Sequence, residues 1–193
     1  MKKVVLASGS PRREELLRQI GMEFTVCPSK GKEITSRTKP EEVVKELSYQ
    51  KARDVFDRSE KDVLVLGADT VVYVDDRMLG KPQNEVECRD MLRTIQGRSH
   101  YVYTGVTVIW KGEEDGATHV LSFEEATKVR VHSMTEREIA EYMDTGESMD
   151  KAGGYGIQGT FARYIDRIEG DYNNVVGLPV ARLYQELREL NLM

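Results

Sequence analysis

The stretch that decides the fold is VVLASGSPRREELLRQIG, residues 4–21. Its apolar beginning predicts a buried strand over Val4–Ala7, and the spacing of the later leucines predicts a helix from Pro11 to about Ile20. Ser10 is a favoured N-cap, and proline is accepted at the first helical position because its missing N–H would have no partner there. The stretch therefore predicts a strand, a short loop and a helix in direct succession.

Outward from this stretch, the pattern predicts an α/β protein with a mixed sheet flanked by helices. Val63–Leu66 is a buried strand ending in GADT, and Ser99–Trp110 and Ala117–Val131 are long strands around a turn at 111–116. The other predicted elements are strands at Phe24–Cys27 and Phe161–Ile168, a hairpin at Val71–Leu79, and helices at Pro40–Asp57, Asn84–Gly97, Thr135–Asp144 and Pro179–Leu190. A chain of 193 residues suits one domain, 1–193, or two small lobes sharing a core.

Composition and charge exclude several classes of function. The formal net charge of −5 argues against a general nucleic-acid-binding protein, which should be basic. No apolar run approaches the roughly 18 to 20 residues of a membrane-spanning helix, and the N-terminal segment lacks the pattern of a signal peptide, so we expect a cytoplasmic protein without a membrane partner. Two cysteines and three scattered histidines indicate neither a disulfide scaffold nor a zinc site.

Two arginines occupy the first turn of the first predicted helix, where the helix dipole disfavours cations. Arg12 and Arg13 become favourable at this place once an anion arrives, because helix N-termini bind phosphates and guanidinium groups match phosphate oxygens. Ser8 and Ser10 add hydroxyl donors. We therefore interpret the stretch as a phosphate-binding site. The alternative is a solvated basic turn whose arginines pair with the two glutamates that follow them.

Other polar residues are candidates for chemistry. Asp69 comes at the predicted end of a buried strand, where open α/β sheets place ligands, and is a candidate general base or metal ligand; a structural turn aspartate is the alternative. Glu33 could supply a second hard oxygen ligand to Mg²⁺. Lys81 is held in a tight GKP loop. Lys51 lies mid-helix beside apolar positions, where a lysine that merely snorkels to water is the alternative.

The segment MDKAGGYGIQG, residues 149–159, is unusually rich in glycine. Four glycines within seven residues indicate special backbone dihedral angles or close approach to another group. Gln158 carries one acceptor and two donors, which suits recognition of the edge of a base.

Together these motifs resemble the Maf family of nucleoside triphosphate pyrophosphatases. The matching pieces are SGSPRR (8–13), GADT (67–70), GKP (80–82), TGV (104–106), MDKAGGYGIQG (149–159) and VVGLP (175–179). Six motifs in register over essentially the whole chain are a far more specific signal than any one of them. SPRR, ADT and IQG resemble the branch that acts on dTTP and UTP rather than the branch that acts on 7-methyl-GTP.

The resemblance implies an elongated twisted sheet with two lobes around a cleft, similar to the inosine triphosphate pyrophosphatases. It implies hydrolysis between the α- and β-phosphates, a divalent cation such as Mg²⁺ or Mn²⁺, and a homodimer. It also implies a house-cleaning role linked to arrest of cell division. The alternative from another class is a nucleotide-binding regulator of septum formation that does not depend on turnover.

Roles follow from the resemblance and from the chemistry of the side chains. Asp69 acts as base or metal ligand, with Glu33 as the second ligand. The expected substrate-binding residues are Ser8, Ser10, Arg12, Arg13, Lys51, Thr70, Lys81 and Gln158. Among them, Arg12, Thr70 and Gln158 are the expected readers of the base, and Arg13→Ala is expected to change stability little or to raise it slightly.

Overall fold

The computed structural model describes residues 2–59, 62–113 and 116–192, and it contains the predicted N-terminal unit. Strand β1 (Lys3–Leu6) is followed by a short loop and by helix α1 (Pro11–Gln19). β1 lies between two parallel neighbours, β2 (Phe24–Val26) and β3 (Val63–Val74). The strand–loop–helix arrangement predicted for residues 4–21 is thus present.

The whole sheet is mixed, as predicted. The other elements are α2 (Pro40–Asp57), β4 (Arg77–Leu79), α3 (Glu85–Ile95), β5 (Ser99–Lys111), β6 (Thr118–Val131), α4 (Glu136–Met143), β7 (Ile165–Glu169), α5 (Tyr172–Val176) and α6 (Val180–Glu189). Two 3₁₀ turns lie at Ala152–Gly154 and Thr160–Tyr164. The strand order is β2-β1-β3-β5-β6-β7, with β4 also paired to β3; the β3–β4 and β6–β7 pairs are antiparallel.

The chain divides into two compact units. The first comprises Met1–Asp69, Thr104–Glu125 and Gly177–Met193; the second comprises Thr70–Tyr103 and Ala126–Val176. One core of the first unit is formed by Val5, Ala7, Ala52, Val55, Val63, Val65 and Ile109. The second unit has a larger core that includes Leu92, Ile95, Val129, Ile139, Tyr142 and Phe161. The single domain over 1–193, the elongated shape and the cleft stay predictions.

The single tryptophan belongs to the first unit. Trp110 of β5 is buried and stacks on His119 of β6, with ring centroids 5.4 Å apart.

Two glycines allow helix α2 to lie directly against the sheet. A Cβ atom at Gly67 of β3 would stand 2.8 Å from the Ala52 nitrogen and would also clash with the Ser48 carbonyl oxygen. A Cβ atom at Gly105 of β5 would stand 2.7 Å from the Lys45 nitrogen. Since β3 and β5 are neighbours, the two glycines together form a flat surface of the sheet against which the backbone of α2 packs.

Two sequence predictions about strands are corrected. GADT does not end a strand: β3 runs without interruption from Val63 to Val74, and Asp69 is buried within it. The low strand propensity of Gly and Asp predicted a turn, but Gly67 serves helix packing instead. The strand predicted at Phe161–Ile168 begins only at Ile165, because Thr160–Tyr164 forms a 3₁₀ turn that buries Phe161.

Most other predicted helices and strands are present within one or two residues at each end, whereas α5 had no counterpart in the sequence prediction. Of the predicted turn at 111–116, Glu114 and Asp115 lie outside the described residues. Among the described residues, no helix is both long enough and apolar enough to span a membrane.

Candidate active site

A lysine that bridges two carboxylates forms the centre of the candidate site in the first unit. Lys51 Nζ donates a hydrogen bond to Asp69 Oδ1 over 2.5 Å and lies 3.1 Å from Glu33 Oε1. The side chains of Lys51 and Asp69 are only 15% and 11% exposed, whereas that of Glu33 is 51% exposed. Two of the three groups are therefore shielded from bulk water, which strengthens their electrostatic interactions.

The fold of α2 on β3 explains how these groups meet. Lys51 immediately precedes Ala52, the residue that packs on Gly67. Asp69 lies two positions after Gly67, so the two residues share one face of the strand. The close approach that Gly67 permits therefore brings Lys51 to the Asp69 carboxylate. The sequence alternatives, a snorkelling lysine and an aspartate in a turn, do not describe this pair.

Arg13 folds back from α1 into the same unit. Its Nη1 donates to Ser8 Oγ over 3.0 Å, and its Nε donates to the Gly177 carbonyl oxygen over 2.9 Å. Burial lowers the pKa of the Arg13 guanidinium, Asp69 opposes this shift, and the positive charge of Arg12 adds to it. Arg13 is thus a half-buried cation close to Asp69, rather than part of a solvated basic turn.

At the start of α1, the side chain of Ser10 does not cap the helix, and the hydroxyl of Ser8 accepts the local hydrogen bonds. Ser10 occupies the N-cap position in an extended conformation, but its side chain makes no capping hydrogen bond. Its backbone N–H donates instead to Ser8 Oγ over 3.3 Å. Arg12 is half-buried in the first helical turn. The prediction that Ser10 is the N-cap residue is therefore confirmed, although the hydroxyl that accepts a hydrogen bond in this turn is that of Ser8.

The donor set is suited to a hard divalent cation. Asp69 and Glu33 both direct a carboxylate oxygen to the position of Lys51 Nζ, so two negative oxygens converge on one positive centre. Mg²⁺ is often held by one or two carboxylates together with substrate phosphates. Among residues 2–59, 62–113 and 116–192, no group of three or more acidic, histidine or cysteine side chains is placed to hold a metal.

The second unit carries the other predicted substrate-binding residues. Thr70 is half-buried at the start of this unit, while Lys81 and Gln158 are exposed. Their two loops are joined by a backbone hydrogen bond, from Gly153 N to the Gly80 carbonyl oxygen, over 2.9 Å. The second unit therefore connects the loop of Lys81 to the glycine-rich segment of Gln158.

Buried aromatic residues hold the glycine-rich segment in place. His100 Nε2 and the Tyr155 hydroxyl share a hydrogen bond of 2.7 Å, and Gly156 N donates to the Tyr142 hydroxyl over 3.2 Å. Gly153 has a φ of 69° and would place a Cβ 2.9 Å from Val72 Cγ2. The sequence predicted that glycines of this segment need special dihedral angles or close approach to another group. Gly153 needs both.

One contact at the site escaped the sequence analysis. Gly177 lies in the VVGLP motif, which had been matched without a role, and its carbonyl oxygen accepts the Arg13 hydrogen bond. Its φ of 128° is rarely accessible to other residues. A glycine between apolar residues and a proline was the available signal, but nothing in the sequence connected it with a residue 164 positions away.

The chain is similar to known proteins over its full length. Residues 3–190 match the family described as Maf-like protein. The chain is 51% identical over 204 residues to the dTTP/UTP pyrophosphatase of Agathobacter rectalis, covering 100% of this chain and 99% of that protein. It is 50% identical over 192 residues to the dTTP/UTP pyrophosphatase of Lachnoclostridium phytofermentans, covering 100% and 97% of the two chains.

Among solved structures, the chain is similar to the Ham1 protein of Staphylococcus aureus, with a TM-score of 0.46 and 16% identity over 67% of this chain and 72% of that one. The match over residues 3–190 and the full-length similarity to curated relatives show that this chain belongs to the Maf-like protein family.

Proposed function

We propose that this chain hydrolyses dTTP and UTP to the nucleoside monophosphate and pyrophosphate. The observation that carries the proposal is the bridge from Lys51 to Asp69 and Glu33, together with a half-buried Arg13 near Asp69 and a helix N-terminus. The names of the full-length relatives, dTTP/UTP pyrophosphatase, support the choice of reaction and substrates.

Binding of the triphosphate is chiefly a problem of neutralising charge. Arg13, Lys51 and Lys81 supply the cations, while Ser8 and the start of α1 supply further donors. Arg13 is held in position by two hydrogen bonds before substrate arrives, so little side-chain entropy is lost when a phosphate binds. Burial of its guanidinium strengthens its attraction to an anion.

Lys51 changes partners in this proposal. In the free protein its ammonium neutralises Asp69 and Glu33. Phosphate oxygens compete with these carboxylates for Lys51, so arrival of the triphosphate releases carboxylate oxygens at the place where the phosphates bind. The same residue therefore attracts the substrate and prepares the two carboxylates.

Asp69 is the residue we assign to the attacking water. It accepts the proton that the water loses as its oxygen attacks the α-phosphorus, and the bond to the bridging oxygen breaks to release pyrophosphate. Glu33 and Asp69 are the residues that would hold a divalent cation, Mg²⁺ or Mn²⁺, which supplies charge neutralisation and an acidified water when bound. Arg13 and Lys51 stabilise the charge that develops on the phosphate oxygens.

Base selection falls to Arg12, Thr70 and Gln158. The Gln158 amide matches the C4 carbonyl and N3–H of uracil or thymine, but a flipped amide matches cytosine equally well. Arg12 only donates, so it favours the C4 carbonyl and leaves the amino group of cytosine without an acceptor. An unpaired buried polar group costs about 1–3 kcal/mol, which gives roughly 5- to 150-fold discrimination against CTP.

The experiment is an assay of purified protein with Mg²⁺ and equal sub-saturating dTTP, UTP, CTP, ATP, GTP and 7-methyl-GTP, with products separated by chromatography. We expect monophosphate and pyrophosphate, fastest from dTTP and UTP. A diphosphate with inorganic phosphate would refute the proposed bond cleavage. Equal rates for CTP and UTP would refute the role of Arg12, and preference for 7-methyl-GTP would assign the other branch.

Protein that binds UTP but releases no pyrophosphate under any metal condition would favour the regulator of septum formation instead. The house-cleaning role, the link to cell division, the cytoplasmic location and the homodimer stay predictions.

A further inference from the structure

Glu33 lies on a loop that is not fixed by burial. We call residues 27–39, which connect β2 to α2, the Glu33 loop. None of residues 28–39 is buried, and Ile34, next to Glu33, is 68% exposed. A groove of about 420 Å³ is lined by residues of both the loop and α2, among them Glu33 and Gln50. Apolar packing therefore does not explain how Glu33 is held 3.1 Å from Lys51.

Three polar residues of α2 and the residue that follows the helix hold the loop instead. Glu46, Gln50 and Asp54 of α2 and the C-cap residue Arg58 recur every four positions, so they form a single stripe, which we call the anchoring stripe. Every one of them contacts the Glu33 loop.

The contacts pair the loop and the helix in antiparallel order. Arg58 Nη2 donates to the Pro28 carbonyl oxygen over 2.7 Å. Lys30 N donates to Asp54 Oδ2 over 2.9 Å, and this hydrogen bond is the largest cause of the lowered pKa of Asp54. At the other end of the loop, Thr35 Oγ1 donates to Glu46 Oε2.

Gln50 makes the contact nearest to Glu33. Its Oε1 accepts a hydrogen bond from Ile34 N over 3.2 Å, and its Nε2 donates to the Ile34 carbonyl oxygen over 2.6 Å. One amide thus satisfies both backbone groups of the residue that follows Glu33. Gln50 also immediately precedes Lys51, so the two partners of Glu33 and Ile34 are consecutive on α2.

We propose that the anchoring stripe positions Glu33, with Gln50 as the positioning residue that holds the Glu33 carboxylate at Lys51. Gln50 acts through the backbone of Ile34 and touches neither substrate nor cation. This inference rests on the proposed function only in the role it gives Glu33 toward the divalent cation and the phosphates.

The first experiment measures the loop without any substrate. Amide hydrogen exchange of residues 28–39 is compared in the wild type, in Gln50→Ala and in Arg53→Ala. Arg53 lies on the same helix but pairs with Asp57, so it serves as the matched control. We expect faster exchange of the loop in Gln50→Ala alone. Unchanged exchange in Gln50→Ala would overturn the proposal even if the protein hydrolysed no nucleotide.

The second experiment asks whether Gln50 acts through Glu33. The Mg²⁺ concentration for half-maximal UTP hydrolysis should rise roughly 2- to 10-fold in Gln50→Ala, with kcat at saturating Mg²⁺ nearly unchanged. Thr35→Val removes the separate contact with Glu46 of the stripe and should raise the same half-maximal Mg²⁺ concentration.

The effects of Gln50→Ala and Glu33→Gln on the half-maximal Mg²⁺ concentration should not be additive. Gln50→Ala should add little in a Glu33→Gln background, because the carboxylate that Gln50 positions is then already lost. Full additivity, or an equal loss of kcat at saturating Mg²⁺, would show that Gln50 does not work by positioning Glu33. Absence of UTP hydrolysis in the wild type would instead contradict the proposed function and leave the exchange result to decide on the stripe.

Discussion

At the scale of single residues, the site depends on which partner each charge has before substrate binds. Lys51 is paired with two carboxylates, and Arg13 is tied to a hydroxyl and a backbone carbonyl. In the proposed function these contacts distinguish two cations: Lys51 must give up its partners to bind phosphate, whereas Arg13 is already oriented for it.

Asp69→Asn should abolish most turnover while preserving the fold. The amide keeps the size of the side chain but is neither a base nor a strong metal ligand, and a positioned base typically contributes about 10²- to 10⁴-fold. The measurement is kcat for UTP together with thermal unfolding. Asp57→Asn, an exposed carboxylate of α2 that pairs with Arg53, is the control and should keep wild-type activity. Near-normal turnover of folded Asp69→Asn would remove Asp69 from the mechanism.

Arg13→Ala should weaken use of UTP and also lower stability modestly. The sequence alone predicts little change or a slight gain, since a cation leaves a helix N-terminus. The two hydrogen bonds of Arg13 reverse that expectation, because their loss costs about 1–3 kcal/mol. Urea unfolding and kcat/KM test it against Arg18→Ala, an exposed arginine of the same helix that pairs with Glu14. Stability equal to the wild type would instead support the expectation from the helix dipole, that removing Arg13 changes the free energy of unfolding little.

His100 should make the protein less stable in acid. Burial lowers its pKa from 6.5 to about 4, so between these values the unfolded chain binds a proton that the folded protein refuses. The free energy of unfolding is unaffected by this group above pH 6.5 and falls as the pH drops toward 4, by about 2 kcal/mol at pH 5. Urea unfolding at pH 7.5 and 5.0 should show this extra loss in the wild type and not in His100→Gln. Equal losses in both proteins would contradict it.

At the scale of elements, the packing of α2 on two glycines decides the geometry of the site. Gly67→Ala and Gly105→Ala should each destabilise the protein by about 1–3 kcal/mol or more, because the added methyl meets helix backbone. Gly67→Ala should also reduce kcat, since it displaces the turn that carries Lys51. Gly80→Ala, which meets no atom within 4 Å, is the control for stability.

Thermal unfolding and UTP turnover of these variants give the answer. A Gly67→Ala protein with wild-type stability would show that α2 does not depend on the close approach. A Gly67→Ala protein that loses stability but keeps full kcat would separate the packing from the placement of Lys51.

The same elements show which structural features could be predicted from the sequence and which could not. Apolar periodicity predicted α1, α2 and the long strands, because the apolar residues that form their buried faces recur at a regular spacing within each segment. At the centre of the site, Asp69 was predicted from the GADT motif, whereas Lys51 and Glu33 were predicted from the chemistry of their side chains and lie outside the six motifs. The continuous β3 was missed because the role of Gly67 depends on packing against Ala52, about 15 residues earlier in the chain. The roles of Gln50 and Gly177 were missed because their contacts use backbone groups, those of Ile34 and of Gly177 itself, which no side-chain pattern reveals.

At the scale of the whole molecule, the distribution of acidic residues predicts how a metal takes part. In the proposed function, two converging carboxylates already neutralised by Lys51 would form a weak cation site in the free protein, which the substrate phosphates would complete. Excess chelator should therefore abolish turnover, with recovery on adding Mg²⁺ or Mn²⁺, yet leave the Tm of the substrate-free protein unchanged. A marked fall of Tm with chelator would reveal a resident structural metal, and full activity after exhaustive chelation would exclude a catalytic one.

Trp110 and its stacking on His119 give the first unit a spectroscopic signal of its own. Indole emission, selectively excited, originates from this unit alone, whereas seven of the nine tyrosines lie in the second unit. Coincidence of transitions seen by different probes is a test of cooperative unfolding. The native chromophores thus allow that test without any label: superimposable tryptophan and tyrosine melting curves would show that the two units unfold as one thermodynamic body, and separated curves would show that each has a stability of its own.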